Sequence, residues 1–420
     1  MPLTLKRIPL VLLFTAAIAA IVLVAVVNRG ARGIGTEAAS APAAARMPSD
    51  PRALDELALA QIQLAREDGD PTRYGIAEEL LRRALRADPN DFIALGGLGS
   101  IAASRHDFPT ALSLGRRALS LDPASGYALG VVVDAQIELG RYAAARRSIV
   151  RMLDLHPDLS SFSRLSYYLE LHGDITGARR ALRAAIASGA PARENTAWAY
   201  LSLGNLELGQ GNLAAAEAQY GLAGRAQRGF VHALAGRARV AAARGRHDEA
   251  IRLYRSVTAR LPLPAYVIAL GDAQTAAGQT ADARAGYELV RAEERLYGAN
   301  GVNVDVELAL FEADHGGDAT RAVSLVRAAQ RTQRSVAVDD ALAWTLFRAG
   351  QYRAALEAAN RALRLGTRDA TFLYHRGAIN AALGRRGDAR ADLSRALLIN
   401  PQFSVLGAPD ARRLLKEVSR

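Results

Sequence analysis

Pro89, Pro123 and Pro157 stand 34 residues apart, and each closes the same local phrase: RRALRADPN, RRALSLDPA and VRMLDLHPD. A fixed period in the thirties is one supersecondary unit copied along the chain. Such a unit cannot bury its apolar face alone, so the core must form by stacking neighbour on neighbour. A stack of copied units offers a long surface to a partner rather than a cleft built for chemistry.

Composition agrees with a helical stack. Hydrophobic residues make up 50% of the chain but aromatics only 6%. Alanine dominates, and it has the best helix propensity. Few stretches alternate β-branched and polar residues as strands do. There is no cysteine, which excludes disulfides, thiolate metal sites and cysteine nucleophiles. The formal net charge is +11, and every basic residue other than Lys6 and Lys416 is arginine. A basic chain can bind nucleic acid or an anionic membrane, but no nucleic-acid motif accompanies the charge.

Residues 1–7 form a short leader, and Ile8 to Val27 is an uncharged run of 20 residues. Twenty residues of helix rise about 30 Å, enough to cross the hydrocarbon core. No small-x-small cleavage pattern follows at the usual distance, so the run reads as an uncleaved membrane anchor. Lys6 and Arg7 nearly balance Arg29 and Arg32 across it. The short charged leader is the easier side to leave inside, so the bulk of the chain is expected outside the cytoplasm. Residues 28–52, rich in Ala, Gly, Pro and Ser, read as a flexible tether.

The repeat continues from 53 to 403. A small residue recurs early in each second helix: Ala77, Ala111, Ala145, Ala178, Ala216, Ala250, Ala283, Ala322, Ala355 and Ala389. Gly99, Gly204, Gly271 and Gly377 occupy the position where the first helix of a unit crosses the second. Small residues there let two helix axes approach closely. Gly140, Gly173, Gly211, Gly245, Gly278, Gly317, Gly350 and Gly384 are placed to end first helices. Residues 404–420 hold an amphipathic cap helix over the last exposed face. Two steps between successive units are long, adding residues near 190–196 and 291–318, and such additions commonly become loops.

These marks, from Leu57 to Phe403, resemble tetratricopeptide repeats. The resemblance implies an all-α, right-handed superhelical solenoid of about ten helix-turn-helix units, here preceded by one transmembrane helix. It is similar to membrane-anchored bacterial proteins of that family. The resemblance further implies that first helices (A) line a concave groove and second helices (B) the convex side. By that register the groove holds Tyr127, Asp134, Glu138, Tyr167, Glu170, Trp198, Asn205, His232, Arg239, Asp272, Glu307, Phe311, Asp340, Trp344, Phe347 and Tyr374. Aromatic anchors in a polar surround suit a peptide or protein partner. The B helices carry most of the arginine, so a basic convex surface opposes a partly acidic groove.

No chemistry answers to the remaining polar residues. The seven histidines form no H-x-x-x-H pair. Asp339 and Asp340 read as first-turn acids favoured by the helix dipole. No catalytic residue, metal, cofactor or small-molecule substrate is expected. The expected function is a membrane-tethered scaffold, or a chaperone-like adaptor, that binds a protein or peptide at the inner membrane on its extracytoplasmic side. The alternative is a cytoplasmic regulatory repeat protein whose arginine-rich convex face contacts nucleic acid or anionic lipid.

Overall fold

The structure is a computed structural model that describes residues 50–68, 70, 72–189, 193–299 and 305–420. The expected anchor at 8–27 and the tether through 49 lie outside the described residues. Among the described residues, no helix is long and apolar enough to cross a membrane.

Twenty-one α-helices and no strand occur among the described residues. Sequential helices pair as hairpins: α1 (Pro51–Asp68) with α2 (Thr72–Ala87), α3 (Phe92–Ser104) with α4 (Phe108–Leu121), and α5 (Gly126–Glu138) with α6 (Tyr142–Leu155). Next come α7 (Leu159–Leu171) with α8 (Ile175–Ala187), α9 (Arg193–Gly209) with α10 (Leu213–Ala226), and α11 (Val231–Ala243) with α12 (His247–Thr258). Then follow α13 (Pro264–Ala276) with α14 (Thr280–Ala299), α15 (Asp305–Asp314) with α16 (Ala319–Ala329), α17 (Val336–Arg348) with α18 (Tyr352–Ala362), and α19 (Ala370–Ala382) with α20 (Arg386–Ile399). The closing helix α21 (Gly407–Val418) packs Leu414, Leu415 and Val418 onto α19 and α20. Each odd-numbered helix also touches the next odd-numbered one along most of the stack, which is the nearest-neighbour geometry of a solenoid.

The small residues explain the hairpin. All ten early-B alanines are buried, none more than 2% exposed. A side chain on Gly204 would lie 2.5 Å from the Tyr220 ring, and one on Gly377 would lie 2.8 Å from Leu393. Glycine in A thus makes room for the large residue of B. Aspartates start many of the helices: Asp91, Asp107, Asp174, Asp318 and Asp369 accept from first-turn amides, and Asp158 forms a reciprocal capping box with Ser161. The closing prolines have their own partners. Arg117 donates to the Pro89 carbonyl at 2.8 Å and Arg151 to that of Pro123 at 2.5 Å, so in α4 and α6 an arginine staples the previous unit's exit turn.

Three expectations need correction. The left-handed residue ending α15 is Gly316, φ 73°, rather than Gly317. Pro51 and Arg52, expected in the tether, already belong to α1. The two long steps do not simply loop out. Most A helices span 13 residues, as α7 does, but α9 spans 17, and α14 reaches 20. The additions therefore lengthen helices, with residues 190–192 and 300–304 outside the described part. Helical propensity in these Ala- and Glu-rich stretches makes continued helix cheaper than irregular backbone.

The stack also closes on itself. The ends of α5, α7 and α9 meet the entries to α17, α19 and α21, some 190 residues further on. The Tyr142 hydroxyl accepts from the Val336 amide at 2.9 Å, the Thr367 hydroxyl donates to Leu171 O at 2.6 Å, and Asn400 donates to Leu208 O at 2.8 Å. The Arg334 amide adds a 2.7 Å bond to the Glu138 carbonyl. Gly140, Gly173 and Gly211, with φ of 68°, 76° and 75°, stand at these three rungs. A Cβ on Gly140 would sit 2.6 Å from the Arg334 carbonyl oxygen.

The seam can be weighed against an equivalent glycine away from it. Gly245 has φ 73° and open space around its missing Cβ. Gly245→Ala should cost about 1–2 kcal/mol for the left-handed backbone alone. Gly140→Ala should cost about 1–3 kcal/mol beyond that, because the contacting group is backbone. Urea denaturation of both variants reads the difference, and small-angle scattering should show expansion in the Gly140 variant only. Equal losses and equal radii would mean that the seam does not hold in solution.

Candidate partner-binding interior of the coil

All sixteen expected groove residues fall on odd-numbered helices. Their side chains divide into two groups. The aromatic group is largely spent on packing. Trp198 is 7% and Trp344 4% exposed. The Trp198 ring lies 5.3 Å from Phe230 and 4.6 Å from His232, both of the following unit, and its indole donates to Glu194. Trp344 stacks on His375 at 4.1 Å and on Phe347 at 5.0 Å, and its indole donates to Asp314 at 2.6 Å. Tyr167, Phe311, Tyr374 and His232 are buried as well. The Tyr374 hydroxyl donates to Asp410 of the cap helix at 2.9 Å, and His232 meets the Tyr266 hydroxyl at 2.5 Å. Tyr127 is half-buried beside Gly96. The expectation of open aromatic anchors is corrected here. These rings join consecutive A helices, because a ring at the A–A contact buries more area than it could facing water.

The polar group is mostly acidic; Asp134, Glu138 and Asp340 are buried, and the rest stay closer to solvent. Asp272, Glu307 and Glu170 are half-buried, Asn205 is half-buried, and Arg239 is exposed. Asn205 accepts from Tyr220 at 2.8 Å and from Arg239 at 3.1 Å. Asp272 accepts from Tyr287 at 2.8 Å and faces His315 at 2.8 Å. Asp134 is buried and clamped by Arg164, whose two nitrogens reach its carboxylate at 3.0 and 2.7 Å. Asp340 faces the buried His375 at 2.9 Å.

The sequence expectation for Asp339 and Asp340 is a pair of first-turn acids serving the helix dipole. In the fold Asp339 pairs with Arg361 of α18 and Arg364 of the turn after it, while Asp340 turns to α19. Sequence reasoning also missed Arg164, Glu194, Asp314, His315, Asp369 and His375. Glu194 arrives with the α9 extension and ties Arg66 of the first hairpin at 3.1 Å. Asp369 carries a legible signal as a helix cap, but its second neighbour is Glu170 across the seam, which no local pattern announces.

Closure of the coil concentrates negative charge. Glu138 lies near Asp134 and Glu307, Glu170 near Asp369, Asp369 near Asp340, and Asp314 near Asp272. Burial pushes Glu138 up to about 7, with Asp134 and Glu307 adding to the rise. Burial likewise pushes Glu170 up to about 7, assisted by Asp369. Burial raises Asp134 against the pull of Arg164. His375 responds to the same field: burial opposes its protonation, but Asp340, Asp314 and Asp369 overcome this and raise its pKa. Among the described residues, no group of three or more His, Asp or Glu side chains is placed to hold a metal ion.

These shifts share one sign. With raised carboxylate and histidine pKa values, the folded chain binds more protons than the unfolded chain in the intervening pH range. The stability contributed by Glu138 and Glu170 is therefore full below the ordinary carboxylate range and lost as pH rises through about 7. Thermal melts should give a higher Tm near pH 5.5 than near pH 8. Glu138→Gln with Glu170→Gln should flatten that slope. A doubly substituted protein whose Tm still falls as steeply with pH would remove these two groups as the cause.

The tetratricopeptide repeat family profile matches residues 59–126, 201–263 and 341–404. No curated protein matches the chain. Among solved structures, the APC/C hetero-tetramer Cut9–Hcn1 is similar over 88% of this chain and 67% of its own, at 19% identity and a TM-score of 0.38. A thermophilic repeat protein of Thermus thermophilus is similar over 46% of this chain and 97% of its own, at 23% identity and a TM-score of 0.39. The type IV pilus biogenesis factor PilW is similar over 49% and 94%, at 19% identity and a TM-score of 0.41. At these values the likeness says nothing of what this chain binds.

Proposed function

Since the chain is a tetratricopeptide-repeat protein, a fold that serves as a scaffold for protein–protein interaction, we propose that its A-helix interior takes an extended cationic segment of a protein partner. The single observation that carries this reading is the convergence of Glu138, Glu170, Asp272, Glu307, Asp314, Asp340 and Asp369 from two turns of the coil, with His315 and His375 set against Asp272 and Asp340. Arg and Lys side chains on a partner would relieve that repulsion and restore full ionisation of Glu138 and Glu170. Asn205 and Arg239 add a polar point of attachment further along the groove.

Placement at the membrane belongs to the same proposal. Residues 8–27 would anchor the chain in the inner membrane, and residues 28–49 would let the array reach its partner outside the cytoplasm. Proteins of this repeat family are generally scaffolds rather than enzymes, and no catalytic role is proposed.

A displayed library of random 15-residue peptides, selected on the full-length protein in detergent, tests the groove assignment. Enrichment of Lys- and Arg-rich sequences is expected. Their affinity should fall about tenfold in a Glu170→Gln, Glu307→Gln, Asp369→Asn variant, in line with loss of two or three partly desolvated charge contacts. Enrichment of acidic or uncharged peptides, or affinities indifferent to the three substitutions, would overturn it.

A further inference from the structure

The arginines of the B helices are not used alike. In α2, Arg82 and Arg86 are held by Glu78 and Glu79; in α12, Arg255 reaches Asp282; Arg361 of α18 and Arg364 just past it share Asp339. The consecutive helices α4, α6 and α8 differ, apart from Arg179 of α8, which pairs with Glu207. Together they carry eight arginines and one carboxylate, Asp154. Arg116, Arg146, Arg147 and Arg180 are exposed and have no ion-pair partner among the described residues. Arg151 and His156 tie the end of α6 to the turn after α4, so α4 and α6 present one continuous outer face, with α8 the next outer helix along the stack.

That face has a second property. Val150, Leu155 and Leu121 are 50%, 44% and 39% exposed. They make up three of the eight large hydrophobic residues exposed among the described residues, and all lie on α4 and α6. The aromatic residues of these helices, Phe108 and Tyr142, are buried. Single-stranded nucleic acid is held by basic grooves with aromatic stacking platforms, and none is exposed here. Unpaired arginine beside exposed branched aliphatics suits an anionic bilayer surface, where phosphates meet the guanidinium groups and aliphatic side chains enter the headgroup boundary.

We propose that the outer face of α4, α6 and α8 docks on anionic phospholipid headgroups, laying the first half of the coil against the membrane. This surface is separate from the groove and would act whether or not the groove is occupied. It also does not depend on residues 8–27, which would insert in neutral and anionic bilayers alike.

The chain has no cysteine, so one can be placed at will. Full-length Val150→Cys, carrying an environment-sensitive fluorophore, would be incorporated in nanodiscs of phosphatidylcholine alone or with about one third phosphatidylglycerol. Leu398→Cys, 84% exposed on α20, serves as the distant control. The expected result is a blue shift at 150 in anionic discs only, reversed by salt, with none at 398. Arg116→Gln, Arg146→Gln, Arg147→Gln and Arg180→Gln together should reduce the shifted fraction roughly tenfold or more. The same four positions as lysine should retain it, since a headgroup surface reads charge rather than a planar fork. Equal spectra in the two discs, equal shifts at 150 and 398, or loss with lysine would overturn the proposal. So would salt-dependent binding of a short RNA at this face without a lipid response. Flotation with neutral vesicles reports on residues 8–27 separately.

Discussion

Two helix axes approach closely where small residues at the contact leave room for the larger side chains of the facing helix. In this chain that condition is met by alanine on B and, in several units, glycine on A, and most other features follow from it. The close crossing aims Tyr220, Tyr287 and Leu393 into the gap left by Gly204, Gly271 and Gly377. It fixes the angle within each hairpin, and repetition of one angle bends the stack. After about six hairpins the bend returns the chain to itself: the Arg334 and Gly366 carbonyls sit against Gly140 and Gly173, and the Thr367 and Asn400 side chains donate to the Leu171 and Leu208 carbonyls. Glycine serves two unrelated needs at the rungs: a left-handed residue to end the helix, and no Cβ in the path of the next turn.

The hairpins were legible because their determinants are local. An alanine five or six places past a turn glycine, a capping aspartate and a closing proline sit within one 34-residue unit, and each acts on its neighbours in sequence. The seam was not legible. Nothing in the sequence around Thr367 indicates Leu171, because their meeting depends on the accumulated curvature of five intervening units. The same holds for the pairing of Asp340 with His375 and of Asp339 with Arg361 and Arg364. Two adjacent aspartates of α17 meet different neighbours, Asp340 toward α19 and Asp339 toward the end of α18. Periodicity places both on the helix but does not assign their partners.

The aromatic residues mark a different limit. Register placed Trp198 and Trp344 on the A helices, and that is where they lie. Exposure is decided by the next unit, whose Phe230 and His232, or Tyr374 and His375, cover the indole. A residue one position from the groove floor becomes part of the stack when its neighbour is large enough to reach it. The long steps follow similar reasoning. Four extra residues ahead of Trp198 continue the helix and bring Glu194 to both the indole and Arg66. The insertion thereby joins the first hairpin to the fifth.

Charge is sorted by the same curvature. On the outside, B-helix side chains splay apart, so arginines there can remain unpaired at little electrostatic cost. On the inside, A-helix side chains converge, and carboxylates that would be indifferent neighbours on a straight stack are pressed together. Closing the seam brings Glu170 against Asp369 and Glu138 against Glu307, so each added backbone contact is opposed by like charge. The proton uptake that relieves this repulsion is what raises their pKa values. A cationic occupant would relieve it equally well, without requiring low pH. On the proposed reading, an occupied interior and a closed seam therefore favour one another through a single term, the repulsion among the carboxylates that both of them screen.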